Sequence, residues 1–164
     1  MSLSDRRNFL LVLGALPLAA CGFTPVYQQG GAATGLTGNI RFNLIDSREG
    51  FLLLSALESR LGTASANAPF QAVVTLTLTN RDLTLNAATA LQRHDLAATA
   101  EISVTNAAGE TVFSNVVRDA TSYSTSTQNL ANMTSRDAAT ARLMQALADK
   151  IVRQLAVTSE SWAK

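Results

Sequence analysis

The stretch Phe70-Gln71-Ala72-Val73-Val74-Thr75-Leu76-Thr77-Leu78-Thr79 alternates with the two-residue period of a β-strand whose faces differ. Ala72, Val74, Leu76 and Leu78 share one face, and Thr75, Thr77 and Thr79 share the other. Two later runs carry the same signature. In Leu91–Thr105 the apolar face is Leu96, Ala98, Ala100, Ile102 and Val104, and after Gly109 it includes Phe113 and Val117. A loop over Asn86–Ala90 sets Val74 opposite Ile102 and Leu78 opposite Ala98. A turn over Asn106-Ala107-Ala108-Gly109, with Gly109 in the left-handed position, sets Ile102 opposite Phe113 and Ala98 opposite Val117. Each register lays apolar face on apolar face, which is what register selection demands. The three runs read as an antiparallel meander.

The flanking segments complete a domain. Ile40, Phe42 and Leu44 alternate with Arg41 and Asn43, a further half-buried strand. Arg48 to Leu61 reads as a helix with Leu54, Leu57 and Leu61 in its stripe and Gly62 as its stop. Polar Ser122–Asn129 reads as a surface loop. A second helix is expected from Thr134 to Val157, opened by a capping box of Thr134 and Asp137. Its apolar stripe is Met144, Leu147, Ala148, Ile151 and Leu155. The expectation is an α+β fold in the order β-α-β-β-β-α, a four-stranded, mostly antiparallel sheet with both helices on one face.

Ahead of that domain the chain reads as an address. Arg6 and Arg7 precede the short apolar run Phe9–Leu18, the charged and apolar regions of a secretory signal. The run is shorter than the roughly 20 residues that a spanning helix needs. Asp5-Arg6-Arg7-Asn8-Phe9-Leu10 is similar to a twin-arginine export motif, and an ordinary charged signal start fits equally well. Leu18-Ala19-Ala20-Cys21 resembles the bacterial lipobox, which implies cleavage between Ala20 and Cys21 and acylation of Cys21. Two or more acyl chains hold a protein to a membrane stably without spanning it. Gly22, rather than Asp, after the cysteine resembles lipoproteins sorted to the outer membrane. The division is therefore residues 1–20 as signal peptide, 21–38 as lipidated flexible tether and 39–164 as one domain.

Composition removes several function classes. The 164 residues carry a net charge of +1, so no basic stripe exists for nucleic acid. Cleavage takes two arginines and one aspartate from 13 basic and 12 acidic groups, which leaves the mature chain neutral. One His and one Cys exclude a Cys/His metal cage or a disulfide within the chain. Gly30, Gly31, Gly35 and Gly38 are not a phosphate loop, because no Lys-Ser/Thr pair follows. Asp46, Glu49, Glu58, Glu101, Glu110 and Asp149 are scattered without a shared motif. His94 has the core-facing phase while Asp95 faces away, so it reads as a satisfied buried or strand-end histidine. No enzyme, metal or cofactor is expected.

The outer sheet face offers one candidate site. The registers above set Arg81 opposite Asp95, Arg93 beside Leu83 and Ala97 opposite Arg118. Arg93 and Arg118, with Leu83, Leu85 and Leu91, then form a hairpin end that mixes guanidinium with apolar surface. Arginine grips phosphate through two parallel donors, so an anionic lipid headgroup is the functional reading. Solvated arginines on an edge are the plainer one.

Cys21-Gly22-Phe23-Thr24-Pro25-Val26-Tyr27 resembles the Cys-Gly-Phe-x-Pro-Leu-Tyr opening of the lipopolysaccharide-assembly lipoproteins, the LptE family. Ser122-Tyr123, Asp137-Ala138, Arg142-Leu143 and Leu147-Ala148-Asp149-Lys150-Ile151 resemble that family's C-terminal pattern, and the element order is similar too. Val26 stands where Leu is usual, and Leu130-Ala131 where Tyr-Ala is common. The resemblance implies a non-enzymatic lipoprotein on the periplasmic side of a Gram-negative outer membrane. It would plug the barrel LptD, help it fold and take part in lipopolysaccharide assembly, with LptD, lipopolysaccharide and the membrane as partners. An auxiliary lipoprotein of an ABC-type phospholipid-trafficking system and a lipid-anchored envelope hydrolase are the other readings.

Overall fold

The computed structural model describes residues 34–43, 46–83 and 92–163. Ala20, Cys21, the signal segment, most of the tether, Leu44, Leu85, Leu91 and the loop over Asn86–Ala90 lie outside the described residues. A short 3-10 turn at Thr34–Leu36 leads into strand β1 (Ile40–Phe42), helix α1 (Arg48–Leu61) and strand β2 (Phe70–Leu83). Strands β3 (Gln92–Thr105) and β4 (Thr111–Thr125) and helix α2 (Asn129–Trp162) follow. The sheet order is β1-β2-β3-β4, with β1 parallel to β2 and the other two pairs antiparallel. This is the expected four-stranded α+β architecture.

Helix α1 starts and stops for local reasons. The Ser47 hydroxyl accepts a hydrogen bond from the Gly50 N–H at 2.9 Å, Glu49 sits in the positive first turn, and Gly62 at φ 73° ends the helix. Its buried line is Leu53, Leu57 and Leu61, spaced by four residues, with Ala56 beside it. The expected Leu54 is only half-buried, because it lies one position, about 100°, around the helix from Leu53.

Helix α2 is longer than its apolar stripe suggests. It begins at Asn129 and ends at Trp162, so Thr134 and Asp137 lie inside it and form no capping box. Thr134 instead donates to the Leu130 carbonyl, and Asp137 accepts two hydrogen bonds of 3.0 Å from Arg48 of α1. The start is held by Asn132, whose amide bonds both the N–H and the carbonyl of Ser126 at 2.7 Å. Leu143, Met144, Leu147, Ala148, Ile151 and Leu155 are fully buried along its face. Each large apolar side chain removed from water in this way contributes about 1.5–3 kcal/mol.

These helices cover the face that carries Ala72, Val74, Leu96, Ala98, Ala100, Ile102, Val104, Phe113 and Val117, and one continuous core results. Trp162 closes one end, edge-on to Phe70 with ring centroids 5.1 Å apart. The β2–β3 register is the expected one, with Val74 opposite Ile102 and Leu78 opposite Ala98. The β3–β4 register is not. Val104 pairs with Phe113, Ala100 with Val117, Thr99 with Arg118 and Ala97 with Ala120. Two one-residue slips cause the difference. Asn106 pairs with Glu110 across the turn, and a bulge between Val104 and Thr105 leaves Val112 as the extra residue of β4. Two slips preserve side-chain parity, so the apolar faces still meet. Gly109 takes φ 81° as expected, while the Asn106 side chain accepts from the N–H groups of Ala108 and Glu110.

Ser122–Thr125 continues β4 rather than forming a loop. Tyr123 is the reason: it buries its ring on the core face, and Ser122 and Ser124 take the outer positions.

Candidate functional site

With both helices on one side, the other face of the sheet lies uncovered among the described residues. Thr75, Thr77 and Thr79 of β2 stand exposed beside Glu101, Thr99 and Ala97 of β3. Across β3 these meet Val116, Arg118 and Ala120 of β4. Short hydroxyl, methyl and isopropyl groups thus surround Glu101 and Arg118 in the middle of the face. Among the described residues of this face, Val73 and Val116 are the exposed large aliphatic side chains, at 48% and 41%. Charge gathers toward the end where Arg81 sits opposite Asp95 and Arg93 opposite Ser124.

The expected pairing of Arg81 with Asp95 and of Arg93 with Leu83 is found, but the shared arginine site is not. Arg118 pairs with Thr99 rather than Ala97, and Arg93 with Ser124. The two rows are roughly 20 Å apart at about 3.3 Å per residue. Arg93 donates to the Ser122 hydroxyl at 2.7 Å. Arg118 belongs instead to a shallow hollow at the β4 edge, which Lys150 and Arg153 of α2 also line. Lys150 donates to the Arg118 carbonyl at 3.0 Å and pairs with Asp119 at 3.1 Å. Helical spacing puts residues 150 and 153 on one face, and the docking of α2 against β4 brings Arg118 to them.

His94 sits at the charged end on the core side. Its Nδ1 is 2.6 Å from Asp82 Oδ1 and its Nε2 is 2.8 Å from Thr125 Oγ1. The ring stacks on Tyr123, whose hydroxyl accepts from the Asn80 amide at 3.2 Å. The order carboxylate, imidazole, hydroxyl matches a nucleophilic relay, which also needs free donors for an oxyanion. Here the neighbouring N–H groups of Ser126 and Gln128 are taken by Asn132 Oδ1 and Ser126 Oγ. The cluster clamps three strands together, and His94 has the satisfied strand-end environment that its phase predicts. Among the described residues no group of three His, Cys, Asp or Glu could hold a metal ion, and no helix is long and apolar enough to cross a membrane.

No protein-family model and no curated protein matches the chain. Solved structures do. A candidate lipoprotein from Caulobacter crescentus superposes with a TM-score of 0.68 at 19% identity, over 81% of this chain and 98% of that one. An uncharacterized lipoprotein B from Nitrosomonas europaea gives 0.60 at 13% identity, over 85% and 94%. The rare lipoprotein B from Shewanella oneidensis gives 0.54 at 16%, over 74% and 95%. At these identities the likeness establishes a shared fold.

Proposed function

We propose that this chain is a lipid-anchored outer-membrane lipoprotein that fills the lumen of the β-barrel LptD, assists its folding and takes part in lipopolysaccharide assembly. Cys21 carries the acyl anchor. The observation that carries the reading is the uncovered sheet face. Wide outer-membrane barrels have polar interiors, and a plug needs a surface that can hydrogen-bond such a wall. Thr75, Thr77, Thr79 and Thr99 suit that task, since each hydroxyl both donates and accepts. Ordering short side chains also costs less entropy than ordering Lys or Arg. The shared fold with lipoproteins from three bacteria supports the anchored half of the proposal.

Lipopolysaccharide phosphates meet Arg118, flanked by Lys150 and Arg153 at the β4 edge, and Arg93 makes a separate second contact. No catalytic step is assigned to the chain. Depletion in its own organism tests the role. The expected result is unfolded barrel accumulating in the outer membrane and loss of lipopolysaccharide from the cell surface. Normal barrel folding and normal surface lipopolysaccharide after depletion contradict it. A defect in phospholipid distribution alone points to the ABC-type system instead.

A further inference from the structure

The two edges of the sheet are built differently. On β2 the Phe70 N–H bonds the Asn39 carbonyl and the Ala72 carbonyl accepts from Asn43, so even-numbered residues direct their backbone groups toward β1. Strand β1 pairs only with Phe70–Ala72, yet β2 runs on to Leu83. Among the described residues, Val74, Leu76, Leu78, Asn80 and Asp82 therefore present N–H and carbonyl groups on that side with no strand beside them. The residues from Val73 to Asn80 carry no charge. Long, uncharged, open edges are templates for another strand.

The β4 edge is blocked. Asn115 Oδ1 accepts from the Val116 N–H at 2.7 Å, and Asp119 Oδ1 accepts from the Ala120 N–H at 2.8 Å. Lys150 reaches across from α2 to hold the Arg118 carbonyl. All three bonds use outward backbone groups that an added strand would need.

We propose that the open β2 edge is an interaction surface on which two copies of this chain pair antiparallel, and that Asn115, Asp119 and Lys150 close the opposite edge so that assembly stops at two. A two-fold axis at Leu78 sets Val74 opposite Asp82, Leu76 opposite Asn80 and Leu78 opposite its own copy. Those pairs supply about ten backbone hydrogen bonds, the number a typical specific interface carries. Even parity keeps both cores on one side of an eight-stranded sheet and both threonine rows on the other. With one usable edge per chain the contact is isologous and closes, whereas two open edges would propagate. The pair is a property of the free chain and does not depend on the barrel reading.

The test is sedimentation of the full-length lipidated chain in density-matched detergent over roughly a hundredfold range of concentration. The wild type is expected to pass from monomer to dimer and no further. Replacing Thr75, Thr77 and Thr79 by Lys leaves the core untouched and sets like charges across the seam; it should weaken dimerisation at least tenfold with an unchanged thermal melt. The N115T/D119T/K150M variant, in which all three blocking bonds are removed, should grow beyond the dimer. A wild type that stays monomeric throughout, or a triple-lysine variant that dimerises as the wild type does, overturns the pairing. An N115T/D119T/K150M variant that stops at two overturns the blocking role.

Discussion

His94 lies flat against Tyr123 across the β3–β4 pair, with ring centroids 4.9 Å apart and ring planes 18° from parallel. The contact exists because the register slips by two residues, and it joins the ends of three strands through Asp82 and Thr125. Replacing His94 by Ala removes two hydrogen bonds and one ring contact. The expected loss is about 1.5–4.5 kcal/mol, from roughly 0.5–1.5 kcal/mol for each of the three. His94→Phe keeps the stacking and should lose about two-thirds as much. Urea denaturation of both variants checks this, and equal stability of wild type and His94→Ala contradicts the clamp.

Gly109 and Gly35 make a controlled comparison. A methyl group added at either position meets nothing within 4 Å, but Gly109 stands at φ 81°. Gly109→Ala should destabilise the chain by about 1 kcal/mol through backbone strain alone. Gly35→Ala should change stability by less than about half that. Thermal melts of the two variants decide, and matching losses would exclude strain as the cause.

Much of the architecture was legible because it rests on side-chain period. Arg48–Leu61 and the β2–β3 register followed from apolar alternation and end signals that agree with the packed structure. The failures have physical causes of another kind. Ser122-Tyr123-Ser124-Thr125 reads as a polar loop because its period of two is carried by one aromatic ring among hydroxyls. The β3–β4 register depends on Val112 bulging out of the ladder, which alternation does not encode. Asp137 looks like half of a capping box, whereas its partner Arg48 lies 89 residues away. For the candidate site, the threonine face was visible as a strand's polar phase. The grouping of Arg118 with Lys150 and Arg153 was hidden because it depends on how α2 docks against β4, which alternation along a strand does not encode.

The Asp149–Arg60 pair sets a pH dependence. The hydrogen bond from Arg60 holds the Asp149 carboxyl below its usual range, with burial opposing and the charges of Arg60 and Arg153 assisting. A depressed folded-state pKa gives stability that is present above the unfolded carboxylate range and is lost as pH falls through the folded value. Asp149 is 53% exposed, so solvent screening keeps the contribution within about 1 kcal/mol. Melting temperature should fall as pH drops from about 5 toward 2, and Asp149→Asn should flatten part of that slope. Identical slopes in wild type and variant contradict the assignment.

The separation of Arg93 from Arg118 makes their effects independent. Arg118→Ala should weaken binding of purified lipopolysaccharide several-fold, and Arg93→Ala should weaken it less. The double variant should show the sum of the two free-energy changes, because sites more than about 10 Å apart without shared partners add. Fluorescence titration with lipopolysaccharide micelles reads all three. Unchanged binding in the double variant removes both residues from the contact.

Affinity capture of the full-length, Cys21-acylated chain from detergent-solubilised outer membranes, with mass spectrometry of stoichiometric partners, tests whether the chain sits in a barrel. One large β-barrel is expected, recovered about one-to-one, and lost when Cys21→Ser leaves the chain unanchored. Recovery of an ABC-transporter complex, or of the chain with no partner barrel, contradicts it.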